Sequence, residues 1–356
     1  MISVRLTLTG PPFVQAFLCS LRSSVIAAPL VLCPIQQLHA ADWRDPSPHH
    51  SRSVPVDENV RLEVLDWGGP GRPVVLLAGL GNTAHVFDDF APKLAHSYHV
   101  YGITRRGYGA SSCPDEGYAA ERLAEDVLGV IDALGLDRPV LMGHSIAGEE
   151  LSVIGARHGD RIAALVYMDA AADRTPGGRA NTDPRLQELR KILPATRASP
   201  NPSASDRASF SAYQFYWKTR LIGVTLPEAE FRNMFNSTPD GKVDGTKAPA
   251  RVGRAIQAGV EKPDYTQIRV PILSFVAFYG IEDCLRSYQL DGPTGRATCE
   301  TAAAVSRASR KDGIKAFKND APQARVVELT DAKHYLFISN EEEVLSEVRS
   351  FMASLH

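Results

Sequence analysis

What this chain lacks narrows what it can do. Its five cysteines show no Cys/His spacing of the kind that holds zinc, so no metal centre is expected from the sequence. A formal charge of −2 with no long Lys/Arg run leaves it without the basic face that nucleic acid or an anionic membrane demands. The apolar stretch from Val25 to Ile35 is too short to span a bilayer as a helix. There is no internal repeat and no long low-complexity tract. A small uncharged or weakly charged molecule is the partner that fits these absences.

What remains is ordinary for a globular protein. At 356 residues, 44% hydrophobic and 22% charged, the chain can build one large α/β domain with an insertion, or two modest domains, around a sizeable core. Residues 1–40 carry Arg5 and Arg22 but no acidic residue, then the short apolar stretch, then Leu38-His39-Ala40-Ala41. That order is that of a secretory signal cleaved after Ala40 or Ala41, which makes a secreted or periplasmic protein the expectation and a cytoplasmic one with an untranslated or disordered leader the alternative. Cys19 and Cys33 would leave with it. Of the rest, Cys284 and Cys299, on either side of a Gly/Pro-rich loop, are the pair expected to bond in an oxidising compartment, two reduced thiols being the alternative.

Hydrophobic patterning places the elements. Residues 41–60 read as a linker. Arg61 to Trp67 alternate as an antiparallel edge strand, and Pro73 to Ala78 form an unbroken apolar run, the mark of a strand buried on both faces. A helix with Val86, Phe87, Phe90 and Leu94 on one face follows, then a strand from His99 to Thr104. Residues 119 to 134 give the clearest helix, with Leu123, Val127, Val130, Ile131 and Leu134 at helical spacing and Gly135 ending it. Apolar runs at Pro139 to Met142 and Ile162 to Met168 bracket another helix. This alternation predicts a parallel sheet with helices on both faces, and ligands collect at the carboxyl ends of such strands. The rhythm breaks at residues 171–266, rich in Pro, Gly, Arg and Ser, and resumes at Ile272 to Phe278 and Ala324 to Leu329 before a final helix. The interruption reads as an inserted, largely helical cap between two parts of one core, 61–170 and 267–356.

Gly143-His144-Ser145-Ile146-Ala147-Gly148 stands directly after a buried strand, as a serine raised on a tight strand-to-helix turn would. The usual string is Gly-x-Ser-x-Gly. Here Ala147 takes the fifth place, and alanine is nearly as small. Together with Ala78-Gly79-Leu80-Gly81 and Arg106-Gly107-Tyr108-Gly109-Ala110-Ser111, this hexapeptide makes the chain resemble the α/β-hydrolase superfamily, including its capped members, from about residue 60 onward. The resemblance implies an α/β-hydrolase fold, a mostly parallel twisted sheet with helices on both faces, and a nucleophile, acid and histidine in the chain order Ser, Asp/Glu, His.

On that likeness Ser145 is the nucleophile and His334, in Asp331-Ala332-Lys333-His334-Tyr335 between the last strand and last helix, is the base a serine hydroxyl requires. His144 reads as a packed neighbour of the serine. Two acids compete. Asp169, ending the Val166-Tyr167-Met168 strand, is favoured, and Asp283 is the alternative, because Gly280 occupies the place where many relatives carry the acid. The backbone N–H groups of Leu80 and Ile146 are the implied oxyanion hole. Glu149 and Glu150 open the helix after the serine, where carboxylates suit the helix dipole and one can pair with an arginine of a loop or the cap. Phe210, Tyr213, Phe215, Tyr216 and Trp217 form an aromatic cluster in the cap, of which Tyr213 and Trp217 are candidates to line a substrate cleft.

The reading that follows is a cofactor-independent serine hydrolase, a carboxylesterase or lactonase acting on a small hydrophobic ester through an acyl-enzyme. Epoxide hydrolase and dehalogenase chemistry are disfavoured, since those relatives carry aspartate at the elbow. Amidase, aminopeptidase, carbon–carbon hydrolase and hydroxynitrile lyase share the same elbow and stay open, as does a non-catalytic ligand-binding protein on the hydrolase fold.

Overall fold

The apolar runs become the middle of a single sheet. In the computed structural model, which describes residues 43–193 and 201–355, ten strands are β1 (His50–Asp57), β2 (Val60–Gly68), β3 (Pro73–Leu77), β4 (His99–Ile103), β5 (Val140–His144), β6 (Ala164–Met168), β7 (Phe235–Ser237), β8 (Val243–Thr246), β9 (Ile272–Phe278) and β10 (Ala324–Thr330). Eight of them form one sheet in the order β1-β2-β4-β3-β5-β6-β9-β10. The pairs from β4 to β10 are parallel, and β1 and β2 are antiparallel. Successive residues of a strand point to opposite faces, so Leu76, Met142 and Val166 enter one core while Val75, Leu141 and Leu165 enter the other. The proposed leader, 1–40, lies outside the described residues.

Helices cover both faces: α1 (Ala91–Ala95), α2 (Ala120–Ala133), α3 (Gly148–Arg157), α4 (Arg179–Thr182), α5 (Pro184–Ile192), α6 (Phe210–Tyr216), α7 (Glu228–Met234), α8 (Ala250–Ala258), α9 (Ile281–Tyr288), α10 (Gly292–Asp320), α11 (Leu336–Ser339) and α12 (Glu341–Ala353). Elements α4 to α8, with the β7–β8 hairpin, occupy the chain between β6 and β9, where the strand rhythm lapses. No helix among the described residues is long and apolar enough to cross a membrane.

Three local expectations need correction. Residues assigned to a linker form β1, whose pairing with β2 moves β2 in from the edge. Only Val54 is buried along that strand, so it has no apolar period to betray it. The helix expected over Val86 to Leu94 is broken into a 3-10 turn at Ala84–Phe87 and the short α1, whose first turn holds Pro92, although all four named residues are buried. Around the bonded pair Cys284–Cys299, the stretch read as a loop is the end of α9 and the start of the 29-residue α10. Gly292, Pro293, Gly295 and Gly313 argue locally against such a helix, and although its buried positions, Gly295, Cys299, Ala302, Ser309 and Phe317, share one face, all but Phe317 are small, so no apolar stripe marks it in the sequence.

Candidate active site

The strand order brings the site together. β5, β6 and β9 are hydrogen-bonded neighbours, and β9 pairs with β10, so the loops leaving their carboxyl ends meet above the middle of the sheet. β5 ends at His144, and Ser145 follows with φ +57°, a left-handed backbone that a side chain adopts only under constraint. The constraint is close packing. A Cβ on Gly143 would lie 2.9 Å from a methyl of Leu151, and one on Gly148 would lie 2.1 Å from the carbonyl oxygen of Ala170. Ala147, between them, is fully buried. The indispensable glycine of the elbow is therefore Gly148. Gly148→Ala is expected to cost about 1–3 kcal/mol, the usual range for overpacking, read as a lower urea midpoint, whereas an unchanged midpoint would mean that α3 can slide away from Ala170.

The hydroxyl of Ser145 donates to His334 Nε2 at 2.8 Å, and His334 Nδ1 donates to Asp169 Oδ2 at 2.7 Å. His334 is part-exposed and Asp169 is buried, so the relay opens to solvent at the serine end and is shielded at the acid end. His144 holds the histidine loop from below, its Nε2 donating to the carbonyl oxygen of His334 at 2.9 Å. Complete burial, aided by the nearby His334, pushes the pKa of His144 well below the ordinary imidazole value. It has this space because Gly79 lacks a side chain, whose Cβ would sit 2.9 Å from His144 Nδ1.

Asp169, also in the left-handed region at φ +49°, is held from four directions. Oδ1 accepts from Arg310 Nη1 at 2.7 Å and from the backbone N–H of Ala277 at 3.3 Å, and Oδ2 accepts from the Tyr279 hydroxyl at 2.6 Å as well as from His334. Burial opposes its ionisation, but the Arg310 charge and the hydrogen bonds from His334 and Tyr279 outweigh it and hold the carboxyl far below the ordinary range. The other candidate acid is engaged elsewhere. Asp283 opens α9, takes the N–H of Gly280 at 3.1 Å and the ammonium of Lys333 at 2.8 Å, and pairs with Arg286.

The loops bearing Leu80 and Ile146 leave adjacent strands, β3 and β5, with Leu77 in register with Gly143. Both side chains join one apolar cluster with Tyr108 and Val252. Arg105 braces this loop, donating to the carbonyls of Ala78 at 3.0 Å and Gly79 at 3.4 Å while its Nε meets Glu150 on α3 at 2.6 Å. Glu149 pairs with Arg174 at 3.3 Å, so each carboxylate of α3 has its own arginine. Tyr213 and Trp217 pack on each other and on Phe231 and Phe235 within the inserted region, not against the His334 ring. Phe210 and Tyr216 are buried, and Phe215 is exposed.

Sequence reasoning missed Tyr279, Arg310 and the Arg105 brace. Tyr279 had a signal, since it directly follows the strand after which an acid was sought. Arg310 had none, because its approach to Asp169 from 141 positions away depends on the path of α10.

A second buried carboxylate ties the inserted region to this loop. Glu230 on α7 accepts from Asn82 Nδ2 at 2.8 Å and the N–H of Thr83 at 3.0 Å, and bonds the Thr83 hydroxyl, while Asn82 Oδ1 accepts from Tyr335 at 3.1 Å. Burial lifts the Glu230 pKa from 4.5 to about 7, against the opposing hydrogen bonds. The native state therefore keeps a proton that the unfolded chain loses across that window, so stability falls as pH rises through it and the penalty is complete above it. Glu230→Gln is expected to raise the thermal midpoint relative to wild type at pH 8, by about 1–3 kcal/mol in free energy, with the gap closing by pH 5. Melting curves at both values test this, and a pH-independent gap would sink it.

A mostly parallel sheet with a strained serine after β5, a carboxylate after β6 and a histidine after β10 defines the α/β-hydrolase class. The chain belongs to the alpha/beta hydrolase family, whose model matches residues 74–347. Epoxide hydrolase A of Mycobacterium tuberculosis is 39% identical over 122 residues, which are 33% of this chain and 38% of that protein. N-formylmaleamate deformylase of Pseudomonas putida is 32% identical over 122 residues, 34% of this chain and 45% of that one, so the chain matches less than half the length of either relative. The crystal structure of E-2-(acetamidomethylene)succinate hydrolase shares the fold with a TM-score of 0.63 at 18% identity, covering 86% of this chain and all of that one.

Proposed function

We propose that the protein is a serine hydrolase that cleaves small hydrophobic carboxylic esters or lactones through an acyl-enzyme. The observation that carries this reading is the unbroken relay from the Ser145 hydroxyl through His334 to Asp169. In the mechanism that follows, Ser145 Oγ attacks the carbonyl carbon as His334 Nε2 takes its proton. Asp169 keeps Nδ1–H pointing toward itself and stabilises the imidazolium. The N–H groups of Leu80 and Ile146 face the oxygen on which charge develops. His334 then returns the proton to the leaving alcohol, and activates the water that frees the acyl group. No step calls for a cofactor. With the disulfide Cys284–Cys299 in support, the same proposal places the protein in an oxidising compartment, secreted or periplasmic.

A second reading, hydrolysis of a C–N bond, is favoured by the relative named N-formylmaleamate deformylase. The same relay serves both, differing in the group that His334 must protonate. A panel of short aryl esters, lactones, formamides and acetamides, assayed on the purified protein with the active-site concentration set by titrating a separate aliquot with a fluorophosphonate, separates them. Turnover of esters or lactones above amides supports the proposal. Amide turnover alone would replace it with the second reading, and a wild type that the fluorophosphonate does not label would end both.

A further inference from the structure

On the flank of the sheet beside β2, four side chains outside the catalytic relay converge. Asp45 and His49 come from the segment before β1, and His85 and Asp88 from the turn that follows the Gly79-Leu80-Gly81 loop. Each offers one ligand atom, and these atoms all lie within 4.8 Å of one another. His85 Nδ1 is 3.0 Å from Asp88 Oδ2 and 3.2 Å from Asp45 Oδ2, His49 Nδ1 is 3.0 Å from Asp88 Oδ1, and His49 Nε2 is 3.7 Å from Asp45 Oδ2. Ligands about 2.0–2.1 Å from a tetrahedral zinc ion stand roughly 3.3–3.5 Å apart, so the cluster, whose ligand atoms lie within 4.8 Å of one another, would contract by roughly 1–1.5 Å at its widest on binding.

We propose that Asp45, His49, His85 and Asp88 bind one divalent transition-metal ion, with zinc the best match. The donor set decides the class, because two imidazoles with two carboxylates suit zinc, whereas calcium and magnesium take oxygen ligands. Two further observations point to a cation. Glu63 lies on the far side of the His85 ring, its Oε1 3.6 Å from Nε2 and its other oxygen anchored by Thr104 at 2.8 Å. A carboxylate behind the second nitrogen is the usual support for a metal-bound histidine, and it directs the Nδ1 lone pair at the two aspartates. A bound cation would take the place of the proton shared between His85 Nδ1 and Asp88 Oδ2, 3.0 Å apart. Among the described residues no lysine or arginine forms an ion pair with Asp45, Asp88 or Glu63. The site is also built from both sides. His85, His49 and Asp88 are nearly inaccessible, Asp45 closes the group at the surface, and Ser47, bonded to Trp67 at 3.0 Å, fixes the segment between Asp45 and His49. Bound metal would pin that segment to the turn beyond Leu80, a structural role separate from the hydrolytic one.

The full-length, tag-free protein, stripped with EDTA, is titrated with zinc by calorimetry and melted with and without the ion. Expected are one zinc per chain and a thermal midpoint about 5 °C higher at a hundredfold excess over Kd, with no rise from calcium or magnesium. Asp45→Asn, the most exposed ligand, and His49→Gln should each weaken zinc binding more than about tenfold, with far-UV circular dichroism confirming the fold. No zinc bound by wild type, an equal rise with calcium, or undiminished affinity in both variants would overturn the proposal. The wild-type titration decides even where a variant does not fold.

Discussion

Ser145→Ala is expected to lower turnover of the best ester by about 10⁶-fold, the scale on which a triad nucleophile contributes. The substitution keeps the Cβ that the strained elbow already accommodates, so the fold should persist while the hydroxyl 2.8 Å from His334 Nε2 is lost. Intact mass after fluorophosphonate treatment should show an adduct on wild type and none on the variant. Retention of more than about 1% of kcat, far above the residue left by binding and oxyanion stabilisation alone, would place the nucleophile elsewhere.

The second large effect separates the two acids. Asp169→Asn should reduce kcat about 10⁴-fold, as loss of the orienting carboxylate does in serine hydrolases. An asparagine cannot stabilise the imidazolium, and it leaves Arg310 without the charge that meets it at 2.7 Å. The variant should also lose stability, because the half-buried Arg310 guanidinium keeps only its contact with the Tyr279 ring, 4.6 Å away, and no counter-charge. Kinetics are therefore normalised to the folded fraction. Asp283→Asn should change kcat by less than about threefold, since its partners are Lys333, Arg286 and the Gly280 N–H rather than His334. A collapse confined to Asp283→Asn would reverse the assignment.

Much of this was legible because buried parallel strands announce themselves. The run from Val140 to Met142, with Gly143 and Gly148 around a serine, located the elbow from local sterics. The position of His334 between the last strand and last helix followed from element order. β1 escaped notice because it buries a single residue, and α10 because of its glycines and proline and because its buried face carries mostly small residues instead of an apolar stripe. Its stability comes from tertiary support, including packing on α9 and α5 and the disulfide to Cys284, which no local pattern records.

The same division runs through the site. By itself the sequence determined the alternating α/β architecture, the serine on its turn, the histidine and a short choice of acids, because each depends on residues adjacent in the chain and on the size of their side chains. Only the tertiary structure set Asp169, and not Asp283, against His334, brought Arg310 and Tyr279 to that carboxylate, and gathered Asp45, His49, His85 and Asp88 into one cluster. Those contacts join distant segments through the path of whole helices and strands. Their geometry is fixed by packing, which a linear pattern does not encode.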